Sequence, residues 1–327
     1  MNTHHLLSWL LSSCLALGAI SLDNMAYAQS QSSNKTLRFV VGYPPGGSGD
    51  FVTRTMGEAI SSELGMTGLI DNRPGAAGNL ATEMVVKSTD GMTLLVASNP
   101  YINKALYKKL AFDIERDLQP ITLLGNGPMV IAVNNSLPVT NIAELISYAK
   151  KNPGKLNFAS SGNGSSPHLA GILFNSVAEV DVVHIPFRGG APAVQSLIAG
   201  DTQVIYGTSP VVLPQVRAGR IRSLAITTQE RSAAISGIAG MKESGLADYN
   251  ISFSFGLYAP ANMPAEDVKR IFDAAAKVLK RNDIREKLAT QGMDPAPNAS
   301  PAEFRASNQR EAPMWLKLIA ASGAKVD

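Results

Sequence analysis

The chain has 327 residues, room for about two domains of ordinary size with real hydrophobic cores. Charge is nearly balanced, 29 Lys and Arg against 26 Asp and Glu with no basic block, which excludes a nucleic-acid footprint. Aromatic residues at 6%, charged residues at 17% and well-spread Gly and Pro exclude a disordered tail, a coiled coil and low complexity, leaving a loop-rich globular protein.

Leu6 to Ile20 is almost wholly apolar or small, and Ala26-Tyr27-Ala28 follows as an A-x-A cleavage signature. The run is short for a membrane span and reads as a secretory signal peptide cut after Ala28, although no Lys or Arg precedes it. An uncleaved N-terminal anchor is one alternative. A lipid-modified Cys14 in Leu11-Ser12-Ser13-Cys14 is another, but apolar sequence runs on through Leu15, Leu17 and Ile20, which favours the later cut. Cys14 is the one cysteine. Removing the first 28 of 327 residues leaves 299 without a thiol, hence without disulfides, cysteine catalysis or Cys-ligated zinc.

After a polar lead-in from Gln29, Leu37 to Val41 forms a strand candidate ending in the loop Tyr43 to Asp50. Val52, Met56, Ile60 and Leu64, spaced by four, predict a helix stopped by Gly65. Leu69-Ile70 predicts a short strand before a turn at Asn72 to Gly75, and Thr93 to Ala97 predicts another strand. Met129 to Val133 reads as a strand, and Thr140 caps a helix with Ile142, Leu145, Ile146 and Ala149 on its apolar face. The strand Leu156 to Ala159 leads through the loop Ser160 to Ser166 into a helix from about Pro167. Then come the strand Val182 to Ile185, the loop Phe187 to Ala191, a helix stopping at Gly200, and strands at Val204 to Tyr206 and Leu224 to Thr227. Near the C-terminus Val268, Ile271, Phe272, Ala275, Val278 and Leu279 form one stripe, with Glu266 and Asp267 at its start and Lys280-Arg281 at its end, matching the helix dipole. Strands alternating with helices predict an α/β fold with largely parallel sheets.

A strand, a Gly-rich loop and a helix recur three times, with loops at Gly46-Gly47-Ser48-Gly49, Gly162-Asn163-Gly164-Ser165 and Gly189-Gly190. Such loops sit at the carboxyl ends of parallel strands and present free N–H groups to an anion, and glycine lets a ligand approach the backbone. Taken singly, each is as readily an ordinary βα turn; together they favour an anionic ligand. The phosphate fingerprints fail, because Pro167 follows Gly162 and Gly164 where a third Gly is needed and no Lys-Ser or Lys-Thr follows a Gly-rich loop, so carboxylate is the better reading. No nucleophile elbow, H-E-x-x-H pattern or paired carboxylates point to catalysis. His184 lies within an apolar strand and reads as a packed or surface strand residue, and a Ser165/His168 hydrolytic pair has no evident acid partner.

Seven segments carry a resemblance: Tyr43 to Asp50 with Arg54, Asp71 to Asn79, Asp90 to Leu95, Gly162 to Gly171, Phe187 to Ala193, Leu213 to Arg220, and Gly256 to Pro260. Their order, over about Leu37 to Ala324, resembles the receptor family of tripartite tricarboxylate transporters, also called Bug proteins. Three places depart from that pattern. Ile238-Ala239-Gly240 stands for the usual Val-Pro-Thr, no Asp follows Val204-Ile205-Tyr206-Gly207, and Phe255 or its neighbour replaces a Trp.

The resemblance implies an α/β, two-lobed periplasmic binding protein of the type II-like, Venus-flytrap kind, with the ligand between the lobes. Residues 29–129 and 255–327 would form one lobe and 130–254 the other, after a signal peptide at 1–28. It implies no enzyme activity, no cofactor, no metal and no nucleic acid: a monomer that captures a small organic acid and hands it to the permease subunits of its transporter. The loops Tyr43 to Asp50 and Phe187 to Ala191 are expected to grip one carboxylate. Candidate contacts in the first lobe are Tyr43, Pro44, Gly46, Gly47, Ser48, Asp50, Ser98 and Asn99, with Asp50 better suited to stabilising its helix start than to touching ligand. In the second they are Asn163, Ser165, His168, Arg188, Gly189, Gly190, Ala191 and Thr208, where Arg188 either meets a carboxylate or makes a surface ion pair. Tyr43, Phe51, Phe187 and Tyr206 permit an aromatic acid. The alternatives are a carboxylate sensor serving a signalling partner and, further off, an α/β hydrolase-type enzyme using Ser165 or His168.

Overall fold

The computed structural model describes residues 35–98, 100–107, 109–296 and 298–323; the expected signal peptide and Cys14 lie outside them. Strands β1 (Thr36–Val41), β2 (Thr67–Asn72) and β3 (Thr93–Ala97) run parallel, connected through α1 (Ser48–Glu63) and α2 (Asn79–Val86). Two short turns of helix, α3 (Asn103–Leu106) and α4 (Ile114–Asp117), lead into one long strand, β4 (Leu118–Asn134). Next come α5 (Ile142–Lys151), β5 (Leu156–Ser160), α6 (Ser166–Ala178), β6 (Val182–Pro186) and α7 (Gly190–Ala199). They are followed by β7 (Val204–Thr208), α8 (Ser209–Arg217), β8 (Ile221–Ile226) and β9 (Ser252–Pro260). Helices α9 (Ala265–Lys280), α10 (Asn282–Thr290) and α11 (Pro301–Ser322) complete the described chain.

The strand order is β2-β1-β3-β9-β4-β7-β5-β6, with β8 also on β4. β4 joins two halves of this sheet. Leu118–Pro128 pairs antiparallel with β9, whereas Met129–Asn134 pairs antiparallel with β7 and β8. The sheets are therefore mixed rather than largely parallel: pairs within each half are parallel, and pairs made by β4 or β9 are antiparallel because the chain returns beside itself where it crosses. The sequence patterning exposes only the second half of β4, since Pro120, Gly125, Gly127 and Pro128 read as loop. The structure admits them because, among the described residues, β9 is the one strand laddered on this stretch, its other edge making an isolated bridge from Asn126 to Asp294, and register shifts relieve it at Pro120/Thr122 and Leu123/Gly125.

Helix α1 buries Val52, Met56 and Ile60 completely on the expected four-residue spacing and ends before Gly65 at φ +66°. Asn141, not Thr140, caps α5: its Oδ1 accepts from Glu144 N at 2.9 Å, while the Glu144 carboxylate accepts from Thr140 N at 2.7 Å. The largest apolar cluster runs through both halves, joining Phe39, Met56 and Leu94 to Phe158, Phe174, Tyr206 and Phe253. This continuous core ties the two halves together beneath their strand-end loops.

Candidate functional site

Helices α1, α6, α7 and α8 start at Gly47, Ser165, Gly189 and Thr208, and all four of these N-cap residues line one inner chamber of about 50 Å³. An outer chamber of about 550 Å³ adjoins it, and Tyr43, Pro44, Ser98, Ser165 and Gly189 line both. Among the described residues the inner lining holds no Asp, Glu, Lys, Arg or His; it combines backbone and Ser and Thr hydroxyls with Tyr43, Pro and Ala side chains and the apolar faces of Ile205, Val211, Phe253 and Phe255. Each helix start offers backbone N–H groups and the positive end of a dipole. Gly47, Gly189 and Thr208 add no side-chain cap that would occupy those groups, whereas Ser165 caps α6 by accepting from His168 N at 3.3 Å. The chamber is thus electropositive without a cation, a setting that suits a carboxylate.

Packing sets its shape. Tyr43 meets Phe255 edge-on with centroids 5.9 Å apart, and a Cβ at Gly49 would lie 2.6 Å from the Tyr43 ring, so α1 approaches that ring only because position 49 is glycine. Burial pushes the Tyr43 hydroxyl up to about 12 against hydrogen bonds with Ser98, which keeps it neutral. The loops of the two halves touch. Ser48 Oγ lies 2.6 Å from Thr208 Oγ1, and a Cβ at Gly189 would stand 3.2 Å from the Pro44 ring.

Of the expected contacts, Gly47, Ser48, Gly190, Ala191 and Thr208 line the inner chamber, and Asn163 and Arg188 line the outer one. Asn99 lies outside the described residues. Three residues are placed elsewhere. Gly46 and Asp50 face a separate groove of about 330 Å³ shared with Phe51 and Arg54. The Gly46 N–H, expected to reach ligand, donates instead to Asp50 Oδ2 at 3.0 Å. The Asp50 carboxylate also accepts from Arg54 Nε at 3.0 Å and Asn72 Nδ2 at 2.9 Å. Burial raises its pKa, but Arg54, the Gly46 N–H and Asn72 outweigh this and hold it below the usual carboxylate value. Asp50 therefore braces the loop from behind. His168 is only 2% exposed and lies beneath the Gly162–Ser165 turn, lining neither chamber.

The Ser165/His168 arrangement does not form a nucleophile and base. The Ser165 hydroxyl donates to Gly162 O at 2.7 Å and accepts from the His168 backbone, while imidazole Nδ1 accepts from Gly164 N at 3.1 Å. Among the aromatic candidates, Phe51 faces the separate groove and Tyr206 is fully buried in the core, leaving Tyr43 and Phe187 in the cleft.

Sequence reasoning missed Ser160, Ser161, Ser166 and Phe253 in the inner lining, and Ala76, Ala77, Asn103 and Tyr107 in the outer. Ala76 and Ala77 hold left-handed φ values of +48° and +51°, with Asn103 Nδ2 donating to Ala77 O at 3.2 Å and to Asn79 Oδ1 at 2.7 Å. The flanking Gly75 and Gly78 were the available signal.

Residues 52–323 match the family described as "Tripartite tricarboxylate transporter family receptor". The chain belongs to this family. BugT of Bordetella pertussis is 29% identical over 296 residues, covering 89% of this chain and 90% of BugT. The R. palustris protein Rpa4515, solved with adipate, matches at a TM-score of 0.85 and 30% identity over 90% of this chain and 99% of its own. MatC from Rhodopseudomonas palustris, solved with bound malate, matches at 0.81 and 28% identity over 88% of this chain and 99% of its own. The two-lobed periplasmic binding-protein fold expected from the motifs is the fold of these receptors. It is a family of receptors, not of enzymes.

Proposed function

We propose that the protein is a periplasmic receptor that closes on a small organic carboxylate and delivers it to the membrane subunits of a tripartite tricarboxylate transporter. The observation that carries this reading is the convergence of four helix N-termini, from both halves of the sheet, on a chamber lined, among the described residues, by no charged side chain. A carboxylate there meets oriented N–H groups, and charge-assisted bonds of this kind are worth about twice a neutral one. In the Ser48–Thr208 pair one hydroxyl donates to the other, which leaves the second hydroxyl proton for the ligand. Arg188, the one charged residue lining the outer chamber among the described residues, is suited to a second anionic group. The adipate and malate of the two solved relatives are both dicarboxylates, which supports the same class here.

Residues 29–129 with 255–327 form one lobe on this reading and 130–254 the other, hinged where β4 and β9 run side by side. A ligand held from both lobes stabilises the closed form that the permease recognises. The signal peptide cut after Ala28 delivers a monomer to the periplasm, and the ligand leaves unchanged, with no cofactor needed.

Thermal unfolding of the purified protein against succinate, malate, adipate, citrate, acidic amino acids, nicotinate, benzoate and terephthalate tests this. A ligand at about 100 times its Kd adds about 2.7 kcal/mol and raises the Tm by several degrees. A saturable shift from an acid recovered intact supports the receptor. Flat Tm values across the panel, or conversion of the acid to a product, would sink it.

A further inference from the structure

His168 and His184 take no part in the ligand contacts just described, yet they stack with ring centroids 3.9 Å apart and planes 19° from parallel, under a turn that lines both chambers. Phe158 covers His184 at 4.9 Å, so the pair forms the top of an aromatic column rising from the core. Each imidazole holds a different point of the turn above it. His184 Nε2 lies 2.6 Å from Ser160 Oγ, which donates to Gly162 O at 3.2 Å and accepts from Gly162 N at 3.1 Å. His168 Nδ1 accepts from Gly164 N at 3.1 Å.

The turn needs such support. Gly162 at φ +123° and Gly164 at φ +74° sit in the left-handed region and carry no side chain that packing could lock. Between them Asn163 is exposed in the outer chamber, and immediately after them Ser165 begins α6. A shift of the Gly164 amide therefore moves Asn163, Ser165 and the α6 N-terminus together.

We infer that His168 and His184 are positioning residues, a stacked pair that sets the shape of the Ser160–Ser165 turn and so the ligand affinity of the cleft without touching the ligand. This rests on the reading of the cleft as the carboxylate site. The acceptor role requires an unprotonated Nδ1 with the ring proton on Nε2, and burial, which pushes His168 down to about 4, keeps the ring neutral. A neutral His168 also avoids setting a charge against the His184 face.

The test compares His168→Leu, which fills the space without an acceptor, with His168→Asn, whose Oδ1 replaces Nδ1. Two readouts are taken on the purified protein: amide hydrogen exchange at Gly164, and calorimetric affinity for adipate and malate. An unsatisfied Gly164 N–H makes exchange at that amide faster and weakens the acids by about tenfold in His168→Leu, while His168→Asn stays within about threefold of wild type. If Gly164 exchange is unchanged in His168→Leu, the inference fails whatever the acids do. If exchange rises but affinity holds, the pair is structural only and the inference also fails. Binding of neither acid to the wild type, with no other acid shifting the Tm, overturns the carboxylate reading instead, and the inference about affinity goes with it.

Discussion

The hydroxyls of Ser48 and Thr208 stand 2.6 Å apart across the cleft, joining the first residue of α1 to the last residue of β7. Their positions are 160 residues apart in the chain, and the contact exists only when the strand-end loops of both halves are together.

Ser48→Ala or Thr208→Val removes this link, while the hydroxyl left behind can still donate to a ligand in the inner chamber. Either change weakens the best acid of the panel by about fivefold to tenfold with under about 1 kcal/mol lost from the free protein. The double variant also loses that remaining donor and binds more weakly than either single one. Titration calorimetry reads the affinities; a double variant no weaker than a single one would show that neither hydroxyl donates to the ligand.

Gly164→Ala strains a backbone at φ +74° and drives its new methyl group into Leu106 Cδ1. Unfolding in urea should show a loss of about 1–3 kcal/mol, with part of it recovered on adding Leu106→Ala. A stability equal to wild type would mean that the turn and α3 are free to separate.

Ala77, left-handed at φ +51°, bears on the outer chamber. Ala77→Val destabilises the fold by about 1–2 kcal/mol, since a β-branched residue resists that conformation, whereas Ala77→Gly is close to neutral. Thermal unfolding of the two variants separates backbone strain from packing: equal losses would argue against strain.

Acid acts through the stacked histidines. Burial pushes His168 down to about 4 and His184 to about 3, the latter helped by His168, from an ordinary 6.5. The unfolded chain therefore takes up protons first as pH falls, so their contribution to stability is complete above pH 6.5 and is lost between there and about pH 4 for His168 and about pH 3 for His184. For His168 alone this amounts to about 3 kcal/mol. Urea unfolding from about pH 7 to about pH 4 measures the slope, which should be shallower in His168→Asn. Identical slopes would remove His168 from the account.

Helix α1 was legible because Val52, Met56 and Ile60 repeat every four residues, and α7 because Gly200 stops it with φ +89°. Such signals are local: a periodic stripe states which face is buried whatever it is buried against. The Gly-rich starts of α1, α6 and α7 were legible too, since an open helix N-terminus follows from glycine and a strand before it. The first half of β4 was not legible, because Pro120 and Pro128 deny a strand unless the position in the sheet excuses the missing N–H.

The sequence by itself determined the α/β class and the family, and its Gly-rich helix starts pointed to an anion held by backbone. The tertiary structure alone decided that four helix starts meet in one chamber, that Asp50 consumes the Gly46 N–H, and that His168 turns inward to carry Gly164. The division has a physical cause. Helix starts and apolar faces arise from neighbours along the chain, whereas the direction of a donor depends on loops that only the crossing of β4 and β9 brings together.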